Sequence, residues 1–196
     1  MVLRLLFIHK VLQMEREVVS LPRIPVLALD KMPEKTRNMI TGGKSGMSGL
    51  NINRVMAHAE NSVRHFMRMG NSLLTQAKLD ARLRELAILR VAALCSSRYE
   101  WYQHEILARE VGVPGDQIEA VKNNPESPVF SELERAVLRY AGEVTQNVKS
   151  SDEAFDHLTR FLSHQELVEL TLTIGFYNMV ARFLENTEVQ IEDSQA

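Results

Sequence analysis

The segment 86–95 constrains the fold most, because it is apolar on nearly every face that a helix would present. Its only charged residue is Arg90. A helix without a polar stripe is stable only when other elements surround it. Asp80, a residue type preferred at helix N-caps, precedes the segment. The sequence therefore predicts a buried helix from about Asp80 to Leu94 at the centre of the fold.

Other helices are predicted from capping boxes, in which an N-cap Ser is followed three residues later by Glu. The three boxes are Ser131 with Glu134, Ser150 with Glu153, and Ser163 with Glu166. Apolar residues recur at helical spacing from Leu50 to about Gln76, and shorter helices are predicted at about 33–40, 100–111 and from Asp116. No sustained alternation of polar and apolar residues predicts a strand. The predicted fold class is all-α, with about seven to eight helices.

Composition excludes several function classes. The net charge of −2 argues against a broad basic face for nucleic acid. The single cysteine, Cys95, excludes an internal disulfide, a zinc cluster and an intramolecular dithiol. No uninterrupted apolar run approaches the ~20 residues that cross a bilayer. We expect a cytoplasmic protein with no metal, no cofactor and neither nucleic acid nor membrane as a partner.

The length of 196 residues corresponds to one domain. We expect a single helical domain over 20–190. Residues 1–19 are predicted to be an extension that is disordered or that reflects an early start codon, with Met14 as the alternative start. The polar end of the chain, 191–196, is predicted to be a tail, with fraying from about Glu188.

Chemistry-bearing residues concentrate in the segment 95–104, which holds the only Cys, the only Trp and two of the four Tyr. Glu100 and His104 are four residues apart, so on a helix they share a face and can hydrogen-bond. A carboxylate that orients an imidazole is suited to proton transfer. Trp101 and Tyr102 could wall a dry pocket around the pair. The alternative is an ordinary solvated pair on a helix surface.

Glu85 is a second acidic candidate, because it lies at the start of the predicted buried helix. A buried carboxylate must be paired or protonated, and either condition shifts its pKa. One interpretation makes Glu85 part of the site around His104. The alternative is a structural ion pair with Arg82, Arg84 or Arg182.

These segments together resemble the carboxymuconolactone decarboxylase family, which has the alkylhydroperoxidase D-like fold. The resemblance is carried by residues 80–92, 99–104, 130–138, 140–141 and 175–182, with weaker likeness at 21–25 and 56–58. It covers about residues 20–190. It implies an all-helical subunit that forms a homo-oligomer, with a trimer favoured and a hexamer or dimer as alternatives, and a site near the subunit contacts.

The peroxidase-type members of the family carry Cys-x-x-Cys, three residues and then His, with an upstream Glu as a proton relay. In this chain His104 matches the His and Glu85 matches the upstream Glu. Ser97 and Glu100 stand at the two cysteine positions, and Cys95 lies two residues away. The resemblance therefore does not extend to dithiol chemistry.

The decarboxylase-type members keep a Glu-Trp…His pattern, which Glu100, Trp101 and His104 resemble. This resemblance implies a cofactor-free acid/base lyase that acts on a small carboxylated lactone or a related enolisable acid. His104 is the predicted general acid/base, Glu100 its orienting partner and Glu85 a relay behind them. The predicted substrate contacts are Arg98, Tyr99, Trp101, Tyr177, Arg182 and His58, with one of the two arginines holding a carboxylate.

Two alternatives stay open at this point. The first is an alkylhydroperoxidase-type oxidoreductase that uses Cys95, alone or with the thiol of a partner. The second is a non-catalytic helical oligomer that has kept the fold and lost the chemistry. An essential His104 would favour the lyase, and an essential Cys95 would favour the oxidoreductase.

Overall fold

The computed structural model describes residues 22–42 and 49–192, and the predicted extension 1–19 lies outside them. Within the described residues the chain is all-α, as predicted, with nine α-helices, one short 3-10 helix and no strand. The 3-10 helix is Leu29–Lys31, and the α-helices are α1 (Glu34–Thr41), α2 (Asn51–Met56), α3 (Glu60–Thr75), α4 (Ala81–Leu94), α5 (Arg98–Glu110), α6 (Gly115–Asn123), α7 (Glu132–Asn147), α8 (Asp152–Leu158) and α9 (His164–Thr187).

The apolar helix α4 is the centre of the fold, as its sequence predicts. It packs against α5, α6, α7 and α9. One side, with Ala87 and Ile88, joins the main hydrophobic cluster. The other side, with Leu86 and Leu89, joins a second cluster under α6. Because both sides are covered, this part of α4 needs no polar stripe, and Arg90, the only charged residue of the segment 86–95, donates to the backbone carbonyl of Val121.

Helix starts follow local capping chemistry. The Asp80 side chain caps α4, and the capping boxes at Ser131 and Ser163 are both formed. The box predicted at Ser150 is wrong, since Ser151 is the N-cap of α8 and accepts from a backbone N–H three residues on. Two adjacent serines offer the same capping chemistry, and the helix starts one residue later than predicted.

The single helix predicted from Leu50 to Gln76 is two helices, α2 and α3, which raises the count to nine. Ala59 interrupts the helix with φ −109° and ψ 71°. Val55 and Phe66, one on each side of the break, are buried in the same main cluster. The apolar spacing therefore continues across a break that it does not reveal.

A tight reversal between α4 and α5 brings the predicted site together. Cys95 ends α4, and Ser96 adopts the left-handed region with φ 55°. The backbone N–H of Ser97 then donates to Ala92 O at 2.9 Å. The turn sends α5 back against α4, so that side chains of the two helices can meet.

Helix α9 is long and apolar enough, by length and composition alone, to cross a membrane. Half of its apolar window is buried inside the protein, however, and Leu170, Ile174 and Leu184 belong to the main cluster. These contacts are those of a core helix. A core helix can satisfy the same criteria of length and composition as a membrane-spanning helix.

Candidate active site

A cavity of about 240 Å³ lies between α5 and α9, with α2 and α3 contributing to its wall. Most of its lining is apolar, and the rings of Phe66 and Phe176 stack there with centroids 5.1 Å apart. Glu100, His104 and Tyr177 are among its polar lining residues. An apolar pocket with a few convergent titratable groups is the usual form of a small-molecule site.

His104 is held by Glu85, which confirms that the two side chains meet. His104 Nδ1 lies 2.7 Å from Glu85 Oε2, and both residues are buried. The other carboxylate oxygen of Glu85 accepts from Arg84 Nε at 3.1 Å. Both alternatives proposed for Glu85 are thus true at once, because it pairs with an arginine and also orients the imidazole. Nδ1 is occupied by this bond, so Nε2 is the ring nitrogen left for chemistry.

The hydrogen bond predicted between Glu100 and His104 is absent. Glu100 is only 2% exposed, and neither of its carboxyl oxygens has a hydrogen-bond partner. Burial raises the pKa of Glu100 well above the ordinary value, and the nearby charge of Glu185 raises that pKa further. An unpartnered buried carboxyl is stable only in its neutral form, so Glu100 carries a proton where most glutamates do not.

Tyr177 completes the inner wall beside the imidazole. Its ring meets that of His104 edge to face, with centroids 4.6 Å apart. Burial raises the pKa of Tyr177 well above its ordinary value, and the charge of Glu85 raises that pKa further. The phenol is therefore a proton-bearing donor throughout the neutral range.

The two arginines predicted to hold a substrate carboxylate do not line the cavity. Arg98 is exposed and borders smaller surface clefts. Arg182 is also exposed, and its guanidinium bonds the side chain and the backbone carbonyl of Asn178, each at 2.7 Å. Neither arginine is among the lining residues of the cavity, so the predicted carboxylate contact through arginine is not supported.

Trp101 and His58 are likewise placed away from the cavity. Trp101 packs against the second hydrophobic cluster, its N–H donates to Glu105, and Lys122 lies 3.7 Å from its ring centroid. His58 is exposed and bonds the backbone carbonyl of Pro25. Of the predicted substrate contacts, only Tyr99 and Tyr177 line the cavity.

Cys95 also lies outside the cavity, beside Arg182 and Asn178. Burial is the largest influence on this thiol and raises its pKa, although Arg182 opposes the shift. A raised pKa reduces the nucleophilic thiolate at neutral pH. At the family's first cysteine position, Ser97 has a buried hydroxyl without a hydrogen-bond partner.

Sequence reasoning missed two polar residues that line the cavity, Gln103 and Glu110, and it also missed Glu192, which accepts a hydrogen bond from Gln103. Gln103 lines the cavity and donates to Glu192 Oε2 at 2.5 Å. Its position four residues after Tyr99, on the same helix face, was a usable signal. Glu192 gave none, because it lies in the segment expected to fray from Glu188, yet it is firmly hydrogen-bonded.

Comparison with known proteins agrees with the resemblance stated from the sequence. Residues 60–143 match the model of the carboxymuconolactone decarboxylase family. The chain is 32% identical over 111 residues to the protein YnjA of Escherichia coli (strain K12), a match that takes in 55% of this chain and 60% of YnjA. The chain thus spans about 60% of the length of that relative.

Solved structures show the same fold. A peroxidase-related protein with an alkylhydroperoxidase AhpD core, from Ralstonia eutropha JMP134, superposes with a TM-score of 0.78 at 19% identity, over 89% of this chain and 94% of that one. The debrominase Bmp8, in complex with 2,3,4-tribromopyrrole, superposes with a TM-score of 0.66 at 18% identity, over 81% and 83% of the two chains.

The fold is thus that of the alkylhydroperoxidase D-like helical proteins. Residues 60–143 are similar to the carboxymuconolactone decarboxylase family, and this chain has Ser97 and Glu100 where that resemblance places the two cysteines of the peroxidase-type members. A shared fold does not determine the reaction, which therefore has to be argued from the site.

Proposed function

We propose that this protein is a cofactor-free acid/base enzyme that decarboxylates, or otherwise moves a proton on, a small carboxylated lactone or related enolisable acid. One observation carries the proposal: a buried, unpartnered carboxyl, Glu100, shares a mainly apolar cavity with an imidazole, His104, whose far side is fixed by Glu85. Acid/base catalysis commonly uses two titratable groups whose environments shift their pKa values apart.

The proposed roles follow from these environments. His104 Nε2 is the acid/base nitrogen, because Glu85 holds Nδ1 and so fixes the ring orientation. Glu100 is the proton donor, since burial keeps its carboxyl neutral. This assignment revises the prediction from sequence, since Glu85 takes the orienting role that spacing had given to Glu100.

The decarboxylation step balances with these groups alone. The bond between the substrate carbon and its carboxylate breaks, carbon dioxide leaves, and the electron pair delocalises into the carbonyl as an enolate. The imidazole of His104 donates a hydrogen bond to the enolate oxygen, where charge develops. The Glu100 carboxyl then gives its proton to the carbon, and water restores that proton.

The thiol alternative has less support, since Cys95 lies outside the cavity and its pKa is raised. We keep the cytoplasmic location and the trimer as proposals. Light scattering tests the assembly, and a monomer would contradict the trimer.

The proposed reaction is tested by screening carboxylactones, β-keto acids and hydroperoxides, with proton NMR in deuterated water to follow deuterium entering the product. We expect turnover with a carboxylactone or β-keto acid, a loss of at least a hundredfold in kcat for His104→Ala, and a comparable loss for Glu100→Gln.

Matched controls separate chemistry from folding. Glu119→Gln changes an exposed glutamate far along the chain from the site, and Cys95→Ser removes the only thiol. Both are expected to retain full turnover. A protein that consumes hydroperoxides, loses this activity with Cys95→Ser and keeps it with His104→Ala would be an oxidoreductase, and the acid/base proposal would be wrong.

A further inference from the structure

The carboxylate of Glu192 is held by three donors that converge from two helices. Its Oε1 accepts from Tyr99 OH at 2.5 Å and from the backbone N–H of Asn51 at 2.6 Å. Its Oε2 accepts from Gln103 Nε2 at 2.5 Å. Both oxygens are engaged, and none of the donors carries a positive charge. We call Tyr99, Gln103 and the Asn51 N–H the carboxylate cradle.

The cradle opens onto the candidate active site. Tyr99 and Gln103 both line the cavity, and so do Leu50 and Ile52, the two neighbours of Asn51. On α5 the pair Tyr99 and Gln103 stands one residue before the pair Glu100 and His104. Residues four apart share a helix face, so the two pairs run side by side along the cavity.

Apart from the cradle, the described lining of the cavity has no cationic group that could bind a substrate carboxylate. No lysine or arginine is among the described residues that line it. Burial raises the pKa of Tyr99, and the hydrogen bond to Glu192 raises it further, so this hydroxyl keeps its proton to donate. A hydroxyl, an amide N–H₂ and a backbone N–H together match the two oxygens of a carboxylate.

We propose that the cradle is the carboxylate-binding subsite of the cavity, and that Glu192 fills it in the free protein in place of a ligand's carboxylate. A small apolar molecule with one carboxylate would displace Glu192 and lay its body against Glu100, His104 and Tyr177. Glu192 is thus an internal competitor that limits affinity for carboxylate ligands. The inference rests on the proposed function for what happens after binding, but the binding itself does not require turnover.

The test measures binding of benzoate and of its neutral amide, benzamide, by isothermal titration calorimetry. In Glu192→Ala the competitor and its like charge are both removed, so benzoate is expected to bind at least tenfold more tightly than to the wild type. Benzamide is expected to bind within twofold of its wild-type affinity. Glu192→Gln, which keeps the side-chain shape, is the second variant and is expected to shift benzoate affinity in the same direction.

Two further variants define the cradle. Glu188→Ala alters a glutamate of the same segment that pairs with Arg23 and not with the cradle, and it is expected to leave benzoate affinity unchanged. Tyr99→Phe combined with Glu192→Ala removes one donor, and at least fivefold of the gain should disappear.

Three results would overturn the inference: unchanged benzoate affinity in both Glu192 variants, an equal gain for benzamide, or a gain that survives Tyr99→Phe. An equal gain for benzamide would mean that the segment merely blocks the cavity. Because the readout is equilibrium binding, a failure of His104→Ala to affect turnover would remove the proposed reaction and leave this result standing, and the reverse also holds.

Discussion

The protonated state of Glu100 makes a prediction about stability that needs no substrate. Its carboxyl is 2% exposed and lacks hydrogen-bond partners, and burial raises its pKa well above 4.5. In the unfolded chain the same carboxyl loses its proton as the pH rises past about 4.5, while the folded state retains it. The unfolded state is therefore stabilised as the pH rises, and the free energy of unfolding falls.

The size of the effect follows from proton linkage. Each pH unit between the unfolded and the folded pKa lowers the free energy of unfolding by about 1.4 kcal/mol for a single group. Glu100→Gln keeps the shape and neutrality of the protonated side chain but does not titrate. The variant should match the wild type near pH 4.5 and exceed it by a margin that grows as the pH rises, with the gain levelling off once the native carboxyl ionises.

Urea unfolding followed by circular dichroism at pH 4.5, 5.5 and 6.5 measures this difference. Glu119→Gln, at an exposed position, is the matched control and should track the wild type at every pH. A constant offset between Glu100→Gln and the wild type, or a deficit that grows with pH, would refute the claim that the native carboxyl is neutral. It would also remove Glu100 as a proton donor.

Three further predictions concern stability and are measured by the same unfolding assay. Glu85→Ala strands the buried Arg84 guanidinium and should cost about 3–5 kcal/mol, whereas a loss below about 1 kcal/mol would mean that the buried ion pair is not formed. Leu86→Ala, at a fully buried position of α4, should cost about 2–5 kcal/mol, and a neutral result would contradict the central placement of that helix. Ser131→Ala removes an N-cap and should cost about 1 kcal/mol, but no loss would argue against the capping box at the start of α7.

The helices were predictable where local chemistry fixes them. Asp80 and Ser163 cap helices through their own side chains, and the apolar run after Asp80 permits only a buried helix. Local chemistry does not decide between Ser150 and Ser151, which are equivalent caps one residue apart. The break at Ala59 was not predictable either, because both helices bury the same apolar side and the spacing continues through it.

The sequence predicted which titratable residues form the site better than it predicted the hydrogen bonds among them. Spacing placed Glu100 and His104 on one helix, and the expected burial identified Glu85 as a candidate. The hydrogen-bond partner of His104 is nevertheless Glu85, which lies on the neighbouring helix α4. An i, i+4 rule describes pairs on a helix surface and says nothing of a carboxylate arriving from a neighbouring helix. Arg98 and Arg182 were selected by charge alone, and charge does not indicate which side of a helix faces a cavity.

The unpartnered state of Glu100 is itself an argument for function. A buried polar group without a hydrogen bond costs about 1–3 kcal/mol, and an apolar side chain in the same mainly apolar cavity would avoid that cost. Glu85 is equally buried, but its carboxylate is hydrogen-bonded by Arg84 and His104. The fold can therefore provide partners for a buried carboxylate. Departures from local rules that lack structural compensation concentrate at functional sites. Glu100 is such a departure, and it faces the one cavity that also holds an oriented imidazole among the described residues, which is where a reaction needs a proton.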